Sequence, residues 1–317
     1  MWDKIKYNLY RLRYNHGKNL FLKKPVDVSL ELASTCNQHC SYCYHADKKN
    51  LGFKQGLMNL TIAEQIIFQS ACLGVNSLKF NWKGESTLNP HFKSITNYAK
   101  SFASGMTFID RLTNSNFKFD NSREDIFDGL CNQTKVKVSF DSFNKEIFES
   151  QRNGGDWELT YKNIDTFYNY KKRKETDMVI QCVRTQKNKD EDLEGQVKKR
   201  WPSATISIRD VVEGRLNKNI NTLKVKDRDD SQRRPCDQAF VRILFNHEGK
   251  AFPCCPDIRE NLLIGDIRTM KLKDIFNSIE AKKLRKDLKS LKAFENNPCK
   301  SCSSFETYKG YQSKWIS

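Results

Sequence analysis

The chain has 317 residues, enough for one large α/β domain and a smaller second one, and eleven cysteines, a number that marks a disulfide scaffold only in much shorter secreted chains. No apolar run approaches the roughly 20 residues that span a bilayer, and Met1 to Lys24 lacks the continuous apolar core of a signal peptide, so a cytoplasmic protein with its thiols kept for metal is expected. A formal charge of +17 suits an acidic or phosphorylated partner, but Lys and Asn abound throughout and no aromatic-interleaved basic motif for single-stranded nucleic acid is present, so charge alone identifies no substrate.

Residues 1–25 form a basic extension carrying Lys4, Lys6, Arg11, Arg13, Lys18, Lys23 and Lys24. Trp2, Ile5, Leu9 and Leu12 recur at helical spacing, which fits either an interfacial membrane helix or a helix packed on the outside of the next domain; packing is the expected arrangement. Residues 26–33 alternate apolar and polar side chains for most of their length, the period of a strand with two different faces. This strand delivers Cys36, Cys40 and Cys43, a C-x3-C-x2-C loop with Tyr42 just before its last cysteine. A [4Fe–4S] cube takes one cysteine per iron, so three thiolates leave one iron open to a second molecule. A zinc knuckle is the competing reading.

Thr61 and Glu64 form a capping box that opens a helix through about Leu73, and Ser77 to Trp82 reads as the next strand. Further strands are expected near Met106 to Leu112, Lys135 to Phe140, Asp177 to Val183 and Ala204 to Arg209, mostly separated by helical stretches. Such alternation argues for parallel βαβ units, whose active sites lie at the C-terminal strand ends. Lys83, Gly84, Glu85 and Ser86 follow strand two; Thr113 and Asn114 end strand three; Ser139 and Asp141 end strand four, with Arg152 beyond its helix; Asn188 follows strand five. Cys72, Cys131 and Cys182 read as buried small hydrophobes.

Past residue 215 a charged connector leads to Cys236, an apolar strand Phe240 to Phe245, a turn through His247 and Gly249, and Cys254 and Cys255. A helix from about Leu272 to Leu291, with Leu272, Ile275, Phe276 and Ile279 on one face, leads to Cys299 and Cys302. Four of these cysteines suit a fully ligated cluster or a structural zinc; Cys255 is spare.

The three-cysteine loop with Tyr42 resembles the signature of the radical S-adenosylmethionine (SAM) superfamily. The second group resembles the twitch domain, a shortened SPASM domain. The resemblance covers about residues 26–302. It implies an α/β fold, a partial (β/α)6 TIM-like barrel over 26–215 with a small α+β auxiliary domain, a β-hairpin plus helix, over 216–317. It implies a SAM-binding [4Fe–4S] cluster on Cys36, Cys40 and Cys43 and an auxiliary [4Fe–4S] cluster on Cys236, Cys254, Cys299 and Cys302. Lys83 to Ser86 are similar to the family's Gly-Gly-Glu-Pro motif, departing at Lys83 and Ser86. Tyr42, Gly84, Glu85, Ser86, Thr113, Asn114, Ser139, Asp141, Arg152 and Asn188 correspond to positions that contact SAM in relatives, Arg152 to one that pairs with the SAM carboxylate. The spare Cys255 reads as a backup ligand, a packed thiol or a hydrogen-atom donor near the active site. The implied function is reductive cleavage of SAM to a 5′-deoxyadenosyl radical that takes a substrate hydrogen. The expected reaction oxidises an alcohol carbon of a sugar- or cyclitol-like or phosphorylated metabolite, with the auxiliary cluster accepting the electron and a flavodoxin or ferredoxin as electron donor. The alternative inside the family is epimerisation or crosslinking of a peptide. Outside it stands a non-catalytic zinc or iron–sulfur nucleic-acid-binding protein.

Overall fold

A computed structural model of the chain describes residues 2–20, 22–47, 52–103, 108, 110–120, 123–171, 176–211, 223, 231, 236–296 and 298–302. The alternating segment after residue 25 forms strand β1, Asp27–Leu30. Val28 and Leu30 join the main apolar core, while Asp27 and Ser29 face the other way and are also enclosed. The polar face of this strand lines the inside of a curved sheet rather than solvent. Apolar burial on the helix side supplies the stabilisation, about 25 cal/mol for each Å² removed from water.

A helix, α1 (Trp2–Asn15), precedes β1. Then follow α2 (Leu60–Cys72), β2 (Ser77–Lys79), α3 (Phe92–Ser101), β3 (Asp110–Ser115), α4 (Glu124–Cys131) and β4 (Lys135–Ser139). Two helices, α5 (Lys145–Gln151) and α6 (Trp157–Lys171), lead to β5 (Asp177–Arg184), α7 (Leu193–Arg200) and β6 (Thr205–Asp210). Strands β1 to β6 pair in chain order and all in parallel, the expected alternation. Behind them Phe127, Phe140, Phe148, Phe167 and Trp201 are fully buried and lock the helices to the sheet.

The C-terminal part contributes α8 (Gln238–Val241), β7 (Arg242–Phe245), β8 (Lys250–Phe252), β9 (Gly265–Asp266), α9 (Leu272–Phe276) and α10 (Ile279–Lys289). Strands β7 and β8 form the expected hairpin, with Gly249 at φ 89° in its turn, where only glycine sits without strain. The hairpin does not stand apart: β7 pairs in parallel with β1, Asp27 opposite Arg242, so the sheet runs β6-β5-β4-β3-β2-β1-β7-β8-β9.

Several local expectations change. Asn59, not Thr61, caps α2, its side chain accepting from the Thr61 amide at 2.8 Å. Phe240 and Val241 belong to α8, and the strand starts at Arg242. The single helix expected from Leu272 to Leu291 is two, because Ser278 caps a new one by accepting from the Ala281 amide; Ile279, expected on the buried face, is 81% exposed. Strand three begins at Asp110, and Met106, Thr107 and Ile109 lie outside the described residues. Cys131 and Cys182 are buried as expected, but Cys72, at the end of α2, is exposed. Ile5, Leu9 and Leu12 of α1 are not packed: they are 47%, 52% and 55% exposed, and Tyr10 and Tyr14 face the protein instead.

Candidate active site

The cysteine loop after β1 is stitched to the turn after β2. The Glu85 amide donates to Thr35 O at 2.9 Å. Tyr44 Oη and His45 Nε2, just past Cys43, both donate to Lys83 O, at 2.5 and 2.9 Å. Gly84 sits where this contact is closest: a Cβ there would lie 2.2 Å from Thr35 O and 2.5 Å from Ala33 O. Main-chain atoms cannot yield as a flexible side chain can, which gives the motif's glycine a physical reason. On the other side, the amides of His39 and Ser41 donate to the carbonyls of Asn153 and Gln151.

This loop opens onto a cavity of about 420 Å³. Cys36, Cys40 and Cys43 line one region of it, with Tyr42, Gly84 and Glu85 beside them. Asn114, Ser139 and Arg152 form a polar wall, and Cys255 and Cys302 approach from the C-terminal part. The remaining expected residues lie behind the wall. Ser86 spends its hydroxyl on Phe80 O. The buried Thr113 hydroxyl has no hydrogen-bond partner. Asn188 donates to Asp141 O at 2.8 Å and Val183 O at 3.1 Å, and accepts from the Thr185 amide at 2.7 Å.

Asp141 is fully buried and organises the wall. It accepts from Tyr42 Oη at 2.5 Å and the Val183 amide at 2.9 Å, and its Oδ1 lies 3.0 Å from Arg152 Nη2. Arg152 Nε completes the pair with Oδ2 at 2.9 Å. The guanidinium expected to meet a SAM carboxylate is thus engaged on two sides by a protein carboxylate, and Nη1 remains turned to Gln38 Oε1 at 3.4 Å and Cys40 Sγ at 3.8 Å. Burial lowers the pKa of Arg152, but Asp141 outweighs it and holds the group well above its ordinary value. A fixed positive charge therefore stands next to Cys40.

Asn116 is a functional candidate that motif reading missed. Its Nδ2 points at Cys36 Sγ, 3.8 Å away, and donates to Asn37 Oδ1 at 2.9 Å. Its amide donates to Glu85 Oε2 at 2.7 Å, while Thr87 Oγ1 holds the other oxygen at 2.7 Å. Burial raises the Glu85 pKa and these bonds oppose the rise. Gln38, also missed, presents a buried Nε2 without a partner to the same region. The signal for both was only proximity in sequence to the cysteine loop and to Asn114.

The thiols are shaped by burial. It pushes Cys36 up to about 12, the Glu85 carboxylate adding to the effect, and it raises Cys40 against the opposing charge of Arg152. Cys236 is likewise pushed up to about 12 by burial, with Cys302 and Cys299 close enough to contribute. Cys254 rises by burial and through Cys236, Cys255 and Cys302. Cys36, Cys40 and Cys43 share one cavity wall, and Cys236 lies near enough to Cys299, Cys302 and Cys254 for their charges to be felt. Among the described residues no group of three Cys, His, Asp or Glu side chains is arranged to hold a single metal ion. A cubane takes each thiolate on a different iron, so its ligands surround a volume rather than a point. The sulfur-directed donors of Asn116 and Arg152 and the orphan amide of Gln38 fit an anionic, acceptor-rich group seated on the first loop.

The parallel sheet, the cysteine loop at the end of its first strand and the appended hairpin together have the fold of the radical SAM barrel with a small C-terminal domain. Residues 236–303 match the SPASM family, an iron-sulfur cluster-binding domain. Similar solved structures include BtrN in complex with AdoMet and 2-DOIA (TM-score 0.57, 16% identity, 87% of this chain and 92% of that one). SuiB of Streptococcus suis bound to S-adenosylmethionine has a TM-score of 0.66 at 12% identity, over 92% of this chain and 74% of that one. Native anSMEcpe with bound AdoMet has a TM-score of 0.61 at 17% identity, over 90% of this chain and 89% of that one. At such identities the likeness establishes the fold. No curated protein matches by sequence, and no helix among the described residues is long and apolar enough to cross a membrane.

Proposed function

We propose that the chain is a radical SAM enzyme that oxidises an alcohol carbon of a carbohydrate-like or phosphorylated metabolite. The observation that carries this reading is that one cavity has cysteines of both groups in its wall, Cys36, Cys40 and Cys43 on one side and Cys302 on the other. In this reading the first three would hold a [4Fe–4S] cluster that binds SAM, and Cys236, Cys254, Cys299 and Cys302 would hold a second cluster. Bound there, cluster and SAM supply a carbon radical able to take a hydrogen atom, and the second cluster supplies an acceptor for the electron left on the substrate.

The chain's own residues bind, orient and exclude. Gly84 lets the turn approach the cysteine loop, so that the carboxylate of Glu85, fixed by Asn116 and Thr87, faces the region where the SAM ammonium would lie. Asn114 and Ser139, joined by a hydrogen bond of 3.2 Å, offer polar groups for a ribose. Arg152 and Asn116 stabilise charge on the thiolates of Cys40 and Cys36. Asp141, behind the wall, positions Arg152, and Tyr42 ties the cysteine loop to it while lining the cavity. The C-terminal segment carrying Cys255 and Ile258 forms part of the cavity wall, on the side where shielding would protect a reactive radical from unintended hydrogen donors.

The test is anaerobic reconstitution followed by iron, sulfide and zinc analysis and an assay of reductive SAM cleavage. About eight irons per chain and cleavage lost in Cys36→Ala support the reading; zinc in both sites and no cleavage point to the non-catalytic alternative. A second reading, peptide epimerisation, rests on Cys255, whose thiol lies in the cavity wall outside both ligand sets. SuiB bound to precursor peptide SuiA and anSMEcpe with Cp18Cys peptide are among the similar structures. Solvent deuterium appearing in a peptide product favours this second reading, and a ketone product favours the first.

A further inference from the structure

The inner face of α1 packs against the auxiliary cysteines. Tyr10 and Tyr14 form one apolar cluster with Phe240, Val241 and Leu288, and Cys236 and Cys299 pack against it. The Tyr14 hydroxyl accepts from Arg242 Nη2 at 2.6 Å, and Nη1 of the same guanidinium lies 3.7 Å from Cys255 Sγ. The helix, about 10 Å thick with its side chains, therefore lies beside these cysteines, which are themselves partly exposed. Its outer face carries the exposed Ile5, Leu9 and Leu12, one narrow aliphatic stripe at i, i+4 and i+7. Lys6 and Arg13 border the stripe along one side of α1, and α10, whose Leu288 shares the cluster of Tyr10 and Tyr14, carries the exposed Lys282, Lys283, Lys286 and Lys289.

We infer that this face of α1, with the lysines of α10, is the docking site of an acidic one-electron carrier of the ferredoxin class, which removes the electron from the auxiliary cluster. The inference rests on the function proposed above. In that reaction the substrate passes one electron to the oxidised auxiliary cluster, and the site turns over again only when that electron leaves. The carrier takes it: one electron is lost by the reduced auxiliary cluster and gained by the oxidised carrier, with no proton and no bond exchanged. A small apolar stripe beside basic residues matches a transient redox encounter, which buries less than about 1,200 Å² and is steered by charge. Charge complementarity selects the occupant, and proximity to Cys236 and Cys299 selects electron transfer over mere attachment.

The experiment uses the full chain with both clusters reconstituted and a purified acidic [2Fe–2S] ferredoxin as the probe. Binding of the oxidised ferredoxin is measured by calorimetry, and electron transfer from the reduced enzyme by stopped-flow absorbance. Binding and second-order rate should fall at least tenfold in Arg13→Glu and in Leu9→Glu, and both should weaken with salt. SAM cleavage driven by a chemical reductant should stay unchanged in these variants. Equal binding and equal rates in wild type and both variants overturn the proposal, as does a wild-type chain that ignores the ferredoxin but sediments with vesicles of anionic phosphatidylglycerol. Failure of the underlying function is read separately, from iron content and SAM cleavage in the wild type.

Discussion

Tyr42 donates its hydroxyl to Asp141 Oδ2 at 2.5 Å, tying the cysteine loop after β1 to the end of β4. Both residues are buried. Tyr42→Phe leaves Asp141 with Arg152 and the Val183 amide, so the loss is one charge-assisted hydrogen bond, about 1.5–3 kcal/mol. Asp141→Asn removes the partner of a buried guanidinium and should cost about 3–5 kcal/mol. Denaturant midpoints of the two variants should follow this order, and SAM affinity should fall more in Asp141→Asn because Arg152 loses its position beside Cys40.

Gly84→Ala should be far worse than an ordinary glycine substitution in a turn. The new methyl meets main-chain oxygens of Ala33 and Thr35 rather than a movable side chain. Pushing the turn off the cysteine loop should cost about 1–3 kcal/mol in stability and lower SAM binding more than tenfold. Equilibrium binding of SAM to the reconstituted variant checks this; near wild-type affinity would show that the turn relaxes freely.

The buried group Asp27, Lys79 and Arg242 predicts an acid-sensitive stability. Burial raises the Asp27 pKa, but Arg242, 3.0 Å away, and Lys79 overcome it, so the folded value lies below the ordinary one. A depressed carboxylate stabilises the fold fully above its unfolded value of about 3.9, and the contribution is lost as pH falls below that value through the folded one. Asp27→Asn should therefore be less stable at neutral pH and should show a shallower loss of stability below about pH 4. Urea unfolding across pH 3–7 measures both.

Lys83 stands at the family motif's first glycine and is enclosed between carboxylates. Its Nζ contacts Glu260 and lies 3.5 Å from Glu31 Oε1, with the Trp82 ring centroid 4.2 Å away. Glu260 itself adopts φ 59°, an unfavourable left-handed backbone. Lys83→Met removes the cation from the buried Glu31 and the partly buried Glu260, which keep only His247 and Asn246 respectively as partners among the described residues, and should destabilise by about 3–5 kcal/mol. Adding Glu260→Gln should recover part of that loss, a coupling readable in a double-mutant cycle.

Cys36→Ala and Cys299→Ala should separate the two cysteine sets. The first should abolish SAM cleavage; the second should spare cleavage while product formation falls at least tenfold. Equal loss of both activities in Cys299→Ala would make the second site structural. Anaerobic assay of 5′-deoxyadenosine and product in parallel decides.

The barrel was legible because period and spacing are local. The strands at Lys135 and Asp177 begin at the residues where the pattern starts, and the cysteines fall at strand ends and hairpin base. What could not be read depends on partners distant in sequence. Phe240 and Val241 look like the start of a strand, but they close a short helix against Tyr10 and Leu288. Ile279 fits the apolar face of a long helix until Ser278 offers a better cap and restarts the turn. Asn116 sits in no motif, and only the folded loops bring it to Cys36; Gln38 occupies an unspecified position inside the cysteine motif, and only the fold shows that its side chain turns to Cys40. The stripe on α1 predicts an amphipathic helix correctly, but hydrophobicity alone does not tell that two tyrosines outcompete three aliphatic side chains for the protein surface.

The pairing of Asp27 with Arg242 also governs how the chain is made. Strand β1 leaves the ribosome early, while the strand that covers its second edge is synthesised much later. Until then the edge of β1 offers unpaired backbone groups next to the cysteine loop, a ready template for wrong pairing. Long-range parallel pairing of this kind is slow, because loop closure must precede any gain from contact. Truncation before Arg242 should therefore give an aggregation-prone chain rather than an isolated working barrel. Insertion of iron–sulfur clusters in the cell would then have to wait for the C-terminal hairpin to be translated or be guarded by a chaperone.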